Sequence, residues 1–454
     1  MKKFTSTCKS NRRCRPYLSR RGSNQTQMKS SQGFIEKLPT EVLDLILNNL
    51  TVQEVSVLSM VSKSISTCIV KHVSTLSWTN KMILQKLHCT SLEADDSVVD
   101  HFRSLGLLLK RCTLLLPSKD RIKFTYIRFS QVSCFRMDQC VALHHCQAFT
   151  YYGVFLQTLI AGWDELECHR VFRFLSETTK LQQKIEAAVT SKPGSCHKLE
   201  LSVRLFCRGV MFDQWKSRRD ALFWLTCLLR PWPIVSQARL LFILFGPMKS
   251  DGKLNWQAVQ DSVVGQSALL DLAKAIILLH EDGGNRNWTA DTILAILNEL
   301  MVMPQPWNME NVARLLILCG NSICYSVLAS KAINGRHFEI SRLLIFLILV
   351  SEKDGYSMNW AVKMTQQVCQ VFSMPSEKWS FIQRMENMFS EVTMELYELV
   401  MTGRRDAAMD STLQCLCTLL NANAHFHTEI VYMLLRKGSD HKNTQQVAQT
   451  SERK

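Results

Sequence analysis

The chain has 454 residues, of which 46% are hydrophobic and 20% are charged. This composition is globular and excludes a wholly disordered or collagen-like protein. Its 10 Pro and 17 Gly are few for this length, which favours helices over a turn-rich all-β fold. The longest apolar runs, such as residues 343–350, have about eight residues. A membrane span needs about 20, so we expect a soluble protein with no membrane partner.

The formal net charge of +15 lies mostly at the two ends of the chain. Residues 1–33 contain nine Lys or Arg and no acid, and residues 436–454 contain five basic and two acidic side chains. Both ends are predicted to be disordered tails. The near-neutral remainder makes direct nucleic-acid binding by the folded part unlikely on charge grounds. The first tail is interpreted as a plain solvated tail, a nuclear localisation signal or a mitochondrial transit peptide.

The 17 cysteines are irregularly spaced, and none forms a CxxC pair. The start of the chain has charge but no apolar core segment, so no secretory signal peptide is predicted. We therefore expect free thiols, mostly buried, in a reducing compartment.

Order is predicted to begin near residue 34, with a helical hairpin over residues 34–88. One helical face is predicted from the spacing of Val42, Leu43, Ile46, Leu47 and Leu50, and Pro39 suits the first turn of a helix. The sequence Thr51-Val52-Gln53-Glu54 is typical of a capping box, and it precedes a second helix with an apolar face from Val55 to Ile69. A short third helix is predicted over residues 78–87. This hairpin is too small to bury both apolar faces alone, so we expect it to dock on another surface.

Residues 98–435 are predicted to form a large helical body. One long helix is predicted over residues 164–189, whereas residues 121–129 and 198–206 would suit either helices or strands. Similar tetrapeptides with the pattern Ala/Ser-Arg-Leu-Leu begin at Ala238, Ala313 and Ser341, with spacings of 75 and 28 residues. Decayed helical repeats of the HEAT or armadillo kind and chance recurrence both remain open, and the unequal spacing favours chance. The predicted fold class is all-α, with a body that could be an irregular solenoid.

The hairpin motif resembles the F-box. The matching residues are Leu38-Pro39-x-Glu41-Val42-Leu43-x-x-Ile46-Leu47-x-x-Leu50 and then Glu54-Val55-x-x-Leu58-x-x-Val61-Ser62-Lys63. An amphipathic hairpin would need the apolar positions, but not the opening Leu-Pro-x-Glu or the closing Val-Ser-Lys. At one position the family often has Trp and this chain has Ile65. Segments at 101–117, 161–171, 191–195 and 311–318 resemble one group within the family, over roughly residues 34–430.

The resemblance implies a substrate receptor of a Skp–cullin–F-box ubiquitin ligase, with the Skp adaptor, the cullin scaffold and an unknown protein target as partners. It also implies a germline, meiotic setting. The expected location is the nucleus, the cytoplasm or both. Such a receptor is not an enzyme by itself. The apolar side chains expected to contact the adaptor are Leu38, Pro39, Ile46, Leu47, Leu50, Leu58 and Val61.

No catalytic, cofactor or metal site is predicted. The densest group of metal-ligand residue types is Cys134, Cys140, His144, His145 and Cys146, but its spacing matches no usual zinc template. The pairs His425/His427 and Cys415/Cys417 are two residues apart, so they do not share a helical face. Cys168 and His169 are neighbours in sequence, which does not make a catalytic dyad. No nucleophile elbow and no phosphate-binding glycine loop is present.

Two other functions remain open from the sequence. One is a structural or chromatin-associated scaffold that keeps a degenerate F-box hairpin for packing, which Ile65 and the basic tails favour. The other is a nucleic-acid-binding module that depends on residues 1–33. The segment from Trp215 to Arg219 mixes aromatic and basic residues, and it is interpreted as either a partner surface or a solvated helix end.

Overall fold

The computed structural model describes residues 37–87, 96–132, 135, 146–281, 288–402 and 407–451, and side chains of the last segment from 411 to 433. The chain divides into two compact units, Met1–Asn49 and Leu50–Lys454. Every regular element in the described ranges is a helix, apart from an isolated β-bridge between Met248 and Leu254. None of these helices is long and apolar enough to cross a membrane.

The first unit contributes one described helix, α1 (Thr40–Asn49). In the second unit, the rest of the predicted hairpin forms α2 (Val52–Leu58), α3 (Lys63–Val73), α4 (Leu76–Thr79) and α5 (Gln85–Leu87), with a π-helical turn at Asn80–Leu84.

The body of the second unit begins with α6 to α13. These are α6 (Asp96–Cys112), α7 (Ser118–Phe129), α8 (Ala148–Ile160), α9 (Glu165–Thr179), α10 (Leu181–Thr190), α11 (His197–Cys207), α12 (Arg218–Leu229) and α13 (Ile234–Phe245). A second π-helical turn, Arg208–Phe212, follows α11.

The body continues with α14 to α22. These are α14 (Ala258–Asp261), α15 (Gln266–His280), α16 (Ala290–Met301), α17 (Met309–Cys319), α18 (Asn321–Ile333), α19 (His337–Lys353), α20 (Met358–Val371), α21 (Pro375–Thr402) and α22 (Ala407–Ser451). The last helix extends into residues 436–454, for which the sequence predicts disorder.

The predicted capping box at the start of α2 is confirmed. The Thr51 hydroxyl accepts from the Glu54 backbone N–H, and the Glu54 carboxylate accepts from the Thr51 backbone N–H at 2.7 Å. The hydrogen bonds from Thr51, first from its backbone and then from its side chain, hold the pKa of Glu54 below its usual value. Two orphan N–H groups at the helix start are thus satisfied reciprocally.

The single second helix predicted over residues 55–69 is wrong, because the structure breaks it into α2 and α3. The Ser59 hydroxyl donates to the Ser56 carbonyl, and the Ser62 hydroxyl accepts from the backbone N–H of Ile65 to cap α3. Serine side chains offer the backbone local hydrogen bonds that compete with helix continuation.

The second unit docks this segment on α6, as the small size of the hairpin predicts. Both α2 and α3 pack against α6. Arg111 at the end of α6 donates to the carbonyl and hydroxyl oxygens of Ser56, at 2.9 and 2.6 Å. His101 lies 2.8 Å from the Met82 carbonyl through Nε2. These long-range bonds fix α2 and the π-helical turn Asn80–Leu84 to the body.

From α11 onward, alternate helices pack side by side. One layer contains α11, α13, α15, α17, α19 and α21, and a second layer contains α16, α18, α20 and α22. Helices that follow one another, such as α17 and α18, pack across the two layers. Each repeat therefore contacts mainly its neighbours, which is the architecture of a helical solenoid.

The three Arg-Leu-Leu segments lie in α13, α17 and α19, all in the first layer. Their arginines each bind a neighbouring repeat: Arg239 donates to the Val189 and Ser191 carbonyls, Arg314 pairs with Asp354, and Arg342 pairs with Glu395. The spacing is unequal because α15 lies between α13 and α17 without such an arginine. The helical-repeat interpretation describes this fold, and the chance interpretation is wrong.

Other local predictions are corrected by the structure. The helix predicted over residues 164–189 is two helices, because Lys180 adopts a left-handed conformation (φ 54°) between α9 and α10. The two stretches that would have suited strands lie in helices α7 and α11. Their alternation is overridden by packing, since each helix buries a face against its neighbours.

A close backbone approach joins α8 to the π-helical turn Arg208–Phe212. A Cβ added to Gly153 would lie 2.0 Å from the Gly209 carbonyl oxygen. We expect Gly153→Ala to lower the free energy of unfolding by about 3 kcal/mol, because the clash is with backbone that cannot rotate away. Denaturant unfolding measures this change.

The matched control for this clash is Gly265→Ala. Gly265 has φ −65° and no neighbour closer than 4.0 Å to an added Cβ. Its substitution should cost less than about 1 kcal/mol. Equal losses for the two variants would contradict the close helix crossing.

Candidate adaptor-binding site

The structure separates the seven predicted adaptor contacts by exposure. Pro39, Ile46 and Val61 are exposed, and Leu38, Leu50 and Leu58 are partly buried. Leu47 is 0% exposed. Leu47 thus differs from the other six in being fully buried, and its role as an adaptor contact stays a prediction.

In the first unit, α1 presents an apolar strip to solvent. Val42, Leu45 and Ile46 are exposed, with Leu45 at 66%, while Leu43 is buried. Their spacing of three and four residues places the exposed side chains on one helical face. Leu45 falls outside the motif match, and its position off the apolar face is the sequence signal that could have identified it.

In the second unit, the end of α2 and the turn after it present another apolar group. Val57, Met60 and Val61 are all more than half exposed, with Val61 at 64%. Of these three, only Val61 is among the predicted adaptor contacts. Arg111 and Ser56 hold this end of α2 on the body, so the three side chains are displayed from a fixed backbone.

The position that departs from the motif lies inside the protein. Ile65 is buried in α3, and its backbone N–H is capped by Ser62. The exchange of the family's Trp for Ile therefore falls at a buried position and not among the exposed apolar side chains.

Two family models match the chain. The F-box domain model matches residues 35–76, and the model described as FBXO47, ARM repeats, matches residues 177–424. Human F-box only protein 47 is 48% identical over 431 residues, which cover 94% of this chain and 95% of that protein. The mouse F-box only protein 47 is 48% identical over 413 residues, which cover 90% and 91%.

The chain belongs to the F-box only protein 47 family. The ARM-repeat match covers α10 to α21 in full and agrees with the two layers of helices observed there. No solved structure matches the chain. Membership in this family supports a substrate-receptor role in an F-box type ubiquitin ligase, and an F-box implies binding to a Skp-type adaptor.

The residues considered for metal binding are not gathered into a site where the structure describes them. Cys134, Cys140, His144 and His145 lie outside the described residues, and Cys146 is buried. Within the described ranges, no group of three metal-ligand residue types is close enough to hold an ion. On α22, His425 pairs with Glu352 at 2.9 Å, and His427 contacts the Asn423 carbonyl.

The neighbouring Cys168 and His169 do not form a nucleophilic pair. The His169 ring instead places Nδ1 3.5 Å from the sulfur of Cys227. Burial, and then the nearby carboxylates of Asp220 and Asp164, raise the pKa of Cys168 to about 11. Burial raises the pKa of Cys227 to about 12. Both thiols are protonated at neutral pH, whereas the thiolate is the nucleophile.

Differences in burial among the cysteines predict the order in which they react with an alkylating reagent. Cys417 is exposed on α22, whereas burial raises the pKa of Cys324 to about 12 and that of Cys207 further still. We expect iodoacetamide at pH 8 to modify Cys417 at least about 100-fold faster than Cys207, because alkylation needs an accessible thiolate. Peptide mass spectrometry against time measures both rates.

The control for this reactivity is the protein unfolded in urea, where all thiols should react at similar rates. Native alkylation of Cys207 as fast as that of Cys417 would contradict the packing of α11.

Proposed function

We propose that this protein is the substrate-recognition subunit of a Skp–cullin–F-box ubiquitin ligase. Its F-box would bind the Skp adaptor, and its helical body would bind the protein target. The observation that carries the proposal is the set of exposed apolar side chains within the segment that matches the F-box. Exposed apolar groups of this kind are typical of protein interaction sites.

The proposed role requires no catalytic group on this chain. A receptor that holds the target near a charged conjugating enzyme raises the local concentration of the target's lysines at that enzyme. The solenoid supports the proposed binding of a protein target, since stacked repeats offer an extended surface to a partner. In this proposal the chain is a non-enzymatic subunit, and the adaptor connects it to the cullin.

The proposal carries with it a germline, meiotic setting, as the resemblance implies, and a nuclear or cytoplasmic location. Antibody staining of gonad sections tests both points. Signal in meiotic cells supports this part of the proposal, and expression confined to somatic tissue would contradict it.

Co-expression with the Skp adaptor tests the proposed function. We expect the full chain and the adaptor to elute together at equal molar amounts in size-exclusion chromatography. A folded chain that elutes alone would contradict the receptor role and favour the scaffold alternative. Deletion of residues 1–33 should leave the complex intact, since the F-box match begins after them.

A further inference from the structure

A cleft of about 840 Å³ lies between α9 and α12 in the second unit. Its walls are aromatic: Trp224 lies 5.0 Å from Phe223, 5.4 Å from Trp215 and 6.5 Å from Phe172, between ring centroids. Cavities of this size lined by aromatic side chains are the usual form of a ligand site. None of the functions derived above uses this cleft.

A second chamber of about 620 Å³ also lies along α9. His169 and Phe172 line both chambers, and the two together are hereafter called the α9 groove. From Glu165 to Lys180 the groove follows 15 residues of helix, or about 22 Å. An extended peptide of about seven residues covers this length.

Two buried polar groups line the α9 groove without a hydrogen-bond partner in the described structure. The Trp224 indole N–H belongs to a side chain that is 1% exposed, and the Ser176 hydroxyl belongs to one that is 6% exposed. The indole N–H groups of Trp215 and Trp307, by contrast, donate to the carbonyls of Val210 and Met303. Buried polar groups are nearly always paired in native proteins, so a ligand group that reaches these two atoms would supply the missing partners.

The charges of the α9 groove differ between its ends. Asp164, Glu165 and Asp220 line the first chamber, near the N-terminal ends of α9 and α12, together with Arg219 and Arg230. Arg173 and Lys180 line the second chamber, together with Glu177. The first end is thus net acidic, and the second is net basic. A peptide with its charges in the opposite order would complement both ends.

We propose that the α9 groove binds an extended segment of the target protein. The segment carries a basic residue at the acidic end, a large apolar side chain over the aromatic wall, and an acidic residue at the Arg173–Lys180 end. A backbone carbonyl of the segment accepts from the Trp224 indole, and the Ser176 hydroxyl pairs with a polar group of the same segment. This inference rests on the proposed receptor role, because it places target binding on the body.

Binding of fluorescent peptides to the purified full chain tests this inference. The probes are pools of about twelve residues in three designs: basic–apolar–acidic, the reverse order, and the first design with the apolar residue changed to Ser. We expect the first design to bind best in fluorescence anisotropy. Its affinity should fall with salt, since charges guide the orientation.

Trp224→Phe is the decisive variant, because it keeps an aromatic ring and removes the pyrrole ring with its unpaired N–H. We expect peptide affinity to fall about five-fold, together with a lower melting temperature, since the smaller ring leaves a cavity at a buried position. Trp307→Phe is the matched control: it makes the same truncation at another buried tryptophan, whose N–H is bonded inside the protein, so it should lower the melting temperature as well and leave peptide affinity unchanged.

Charge variants provide a second test. The pair Glu165→Gln and Asp220→Asn should weaken the first peptide design by about ten-fold, whereas Asp291→Asn, at the start of α16, should not. The inference is overturned if no design binds, if both orders bind equally, or if the Trp224 and charge variants bind as the wild type does. Adaptor binding is measured on the same samples, so loss of peptide binding with the adaptor retained rejects only this groove.

Discussion

Replacing Leu45 and Ile46 by glutamate should weaken binding of the Skp adaptor by more than about 100-fold. The two side chains lie exposed on α1, so their loss removes apolar contact with the adaptor. The new carboxylates would be buried at the interface without partners, which adds to the cost. Because both positions face solvent in the free protein, the melting temperature should not change. Isothermal titration of adaptor into purified chain measures the affinity.

The second unit offers an independent version of this experiment. Met60→Glu with Val61→Glu should weaken adaptor binding to a similar extent, since both residues are exposed after α2. The matched control is Ile333→Glu, an exposed apolar position on α18 that should leave the affinity unchanged. Leu47→Ala should instead lower the melting temperature, because Leu47 is buried. Wild-type affinity in both glutamate pairs would contradict the assignment of the adaptor surface.

Replacing Arg314 by methionine should lower the free energy of unfolding by about 3–5 kcal/mol. The guanidinium is buried and pairs with both carboxylate oxygens of Asp354, at 2.6 and 3.0 Å, and also donates to the Val264 carbonyl at 2.9 Å. Methionine fills part of the space but leaves a mostly buried carboxylate without its partner. Denaturant unfolding followed by circular dichroism measures the loss.

The control for Arg314 is Arg336→Met, because Arg336 forms an exposed pair with Glu339. Exposed pairs contribute about 0–1 kcal/mol, so this variant should unfold almost as the wild type does. A double variant, Arg314→Met with Asp354→Leu, should recover part of the loss, since no unpaired charge then remains. A single variant at Arg314 as stable as the wild type would contradict the role of this pair in joining the repeats.

Local signals in the sequence were sufficient to predict that the F-box segment is helical and where its first two helices begin. The Pro39 start, the Thr51–Glu54 capping box and the apolar periodicity act within a few residues of one another, so they can be read from sequence. The break between α2 and α3 was missed because the hydroxyls of Ser59 and Ser62 override a continuous apolar face.

The solenoid was harder to predict because its repeats differ in length and in content. The arginine that marks α13, α17 and α19 is absent from α15, which removed the fixed period that identifies repeats. Helix α18 also lacks a one-sided apolar pattern, since apolar and small residues are distributed around its circumference. Packing between the two layers, rather than a pattern along the chain, determines these helices.

The exposure of side chains in the F-box segment could be predicted only in part, because it depends on tertiary packing. Leu45 and Leu47 are two residues apart, yet one is exposed and the other fully buried. Tertiary packing makes this distinction, and a motif match cannot. The α9 groove was missed except for the segment from Trp215 to Arg219, whose function as a partner surface was left open. Its residues come from α9, α12 and the preceding turn, which the sequence alone does not bring together.

The proposed receptor role requires the F-box to couple this chain to a ubiquitin ligase. Quantitative isolation of the tagged full chain from cells, beside the Leu45→Glu/Ile46→Glu variant and the Ile333→Glu control, measures this coupling. We expect cullin and adaptor to be recovered together with the wild type and the control, and to be lost together with the variant. Equal recovery of cullin with all three proteins, or its absence from the wild type, would contradict the receptor role.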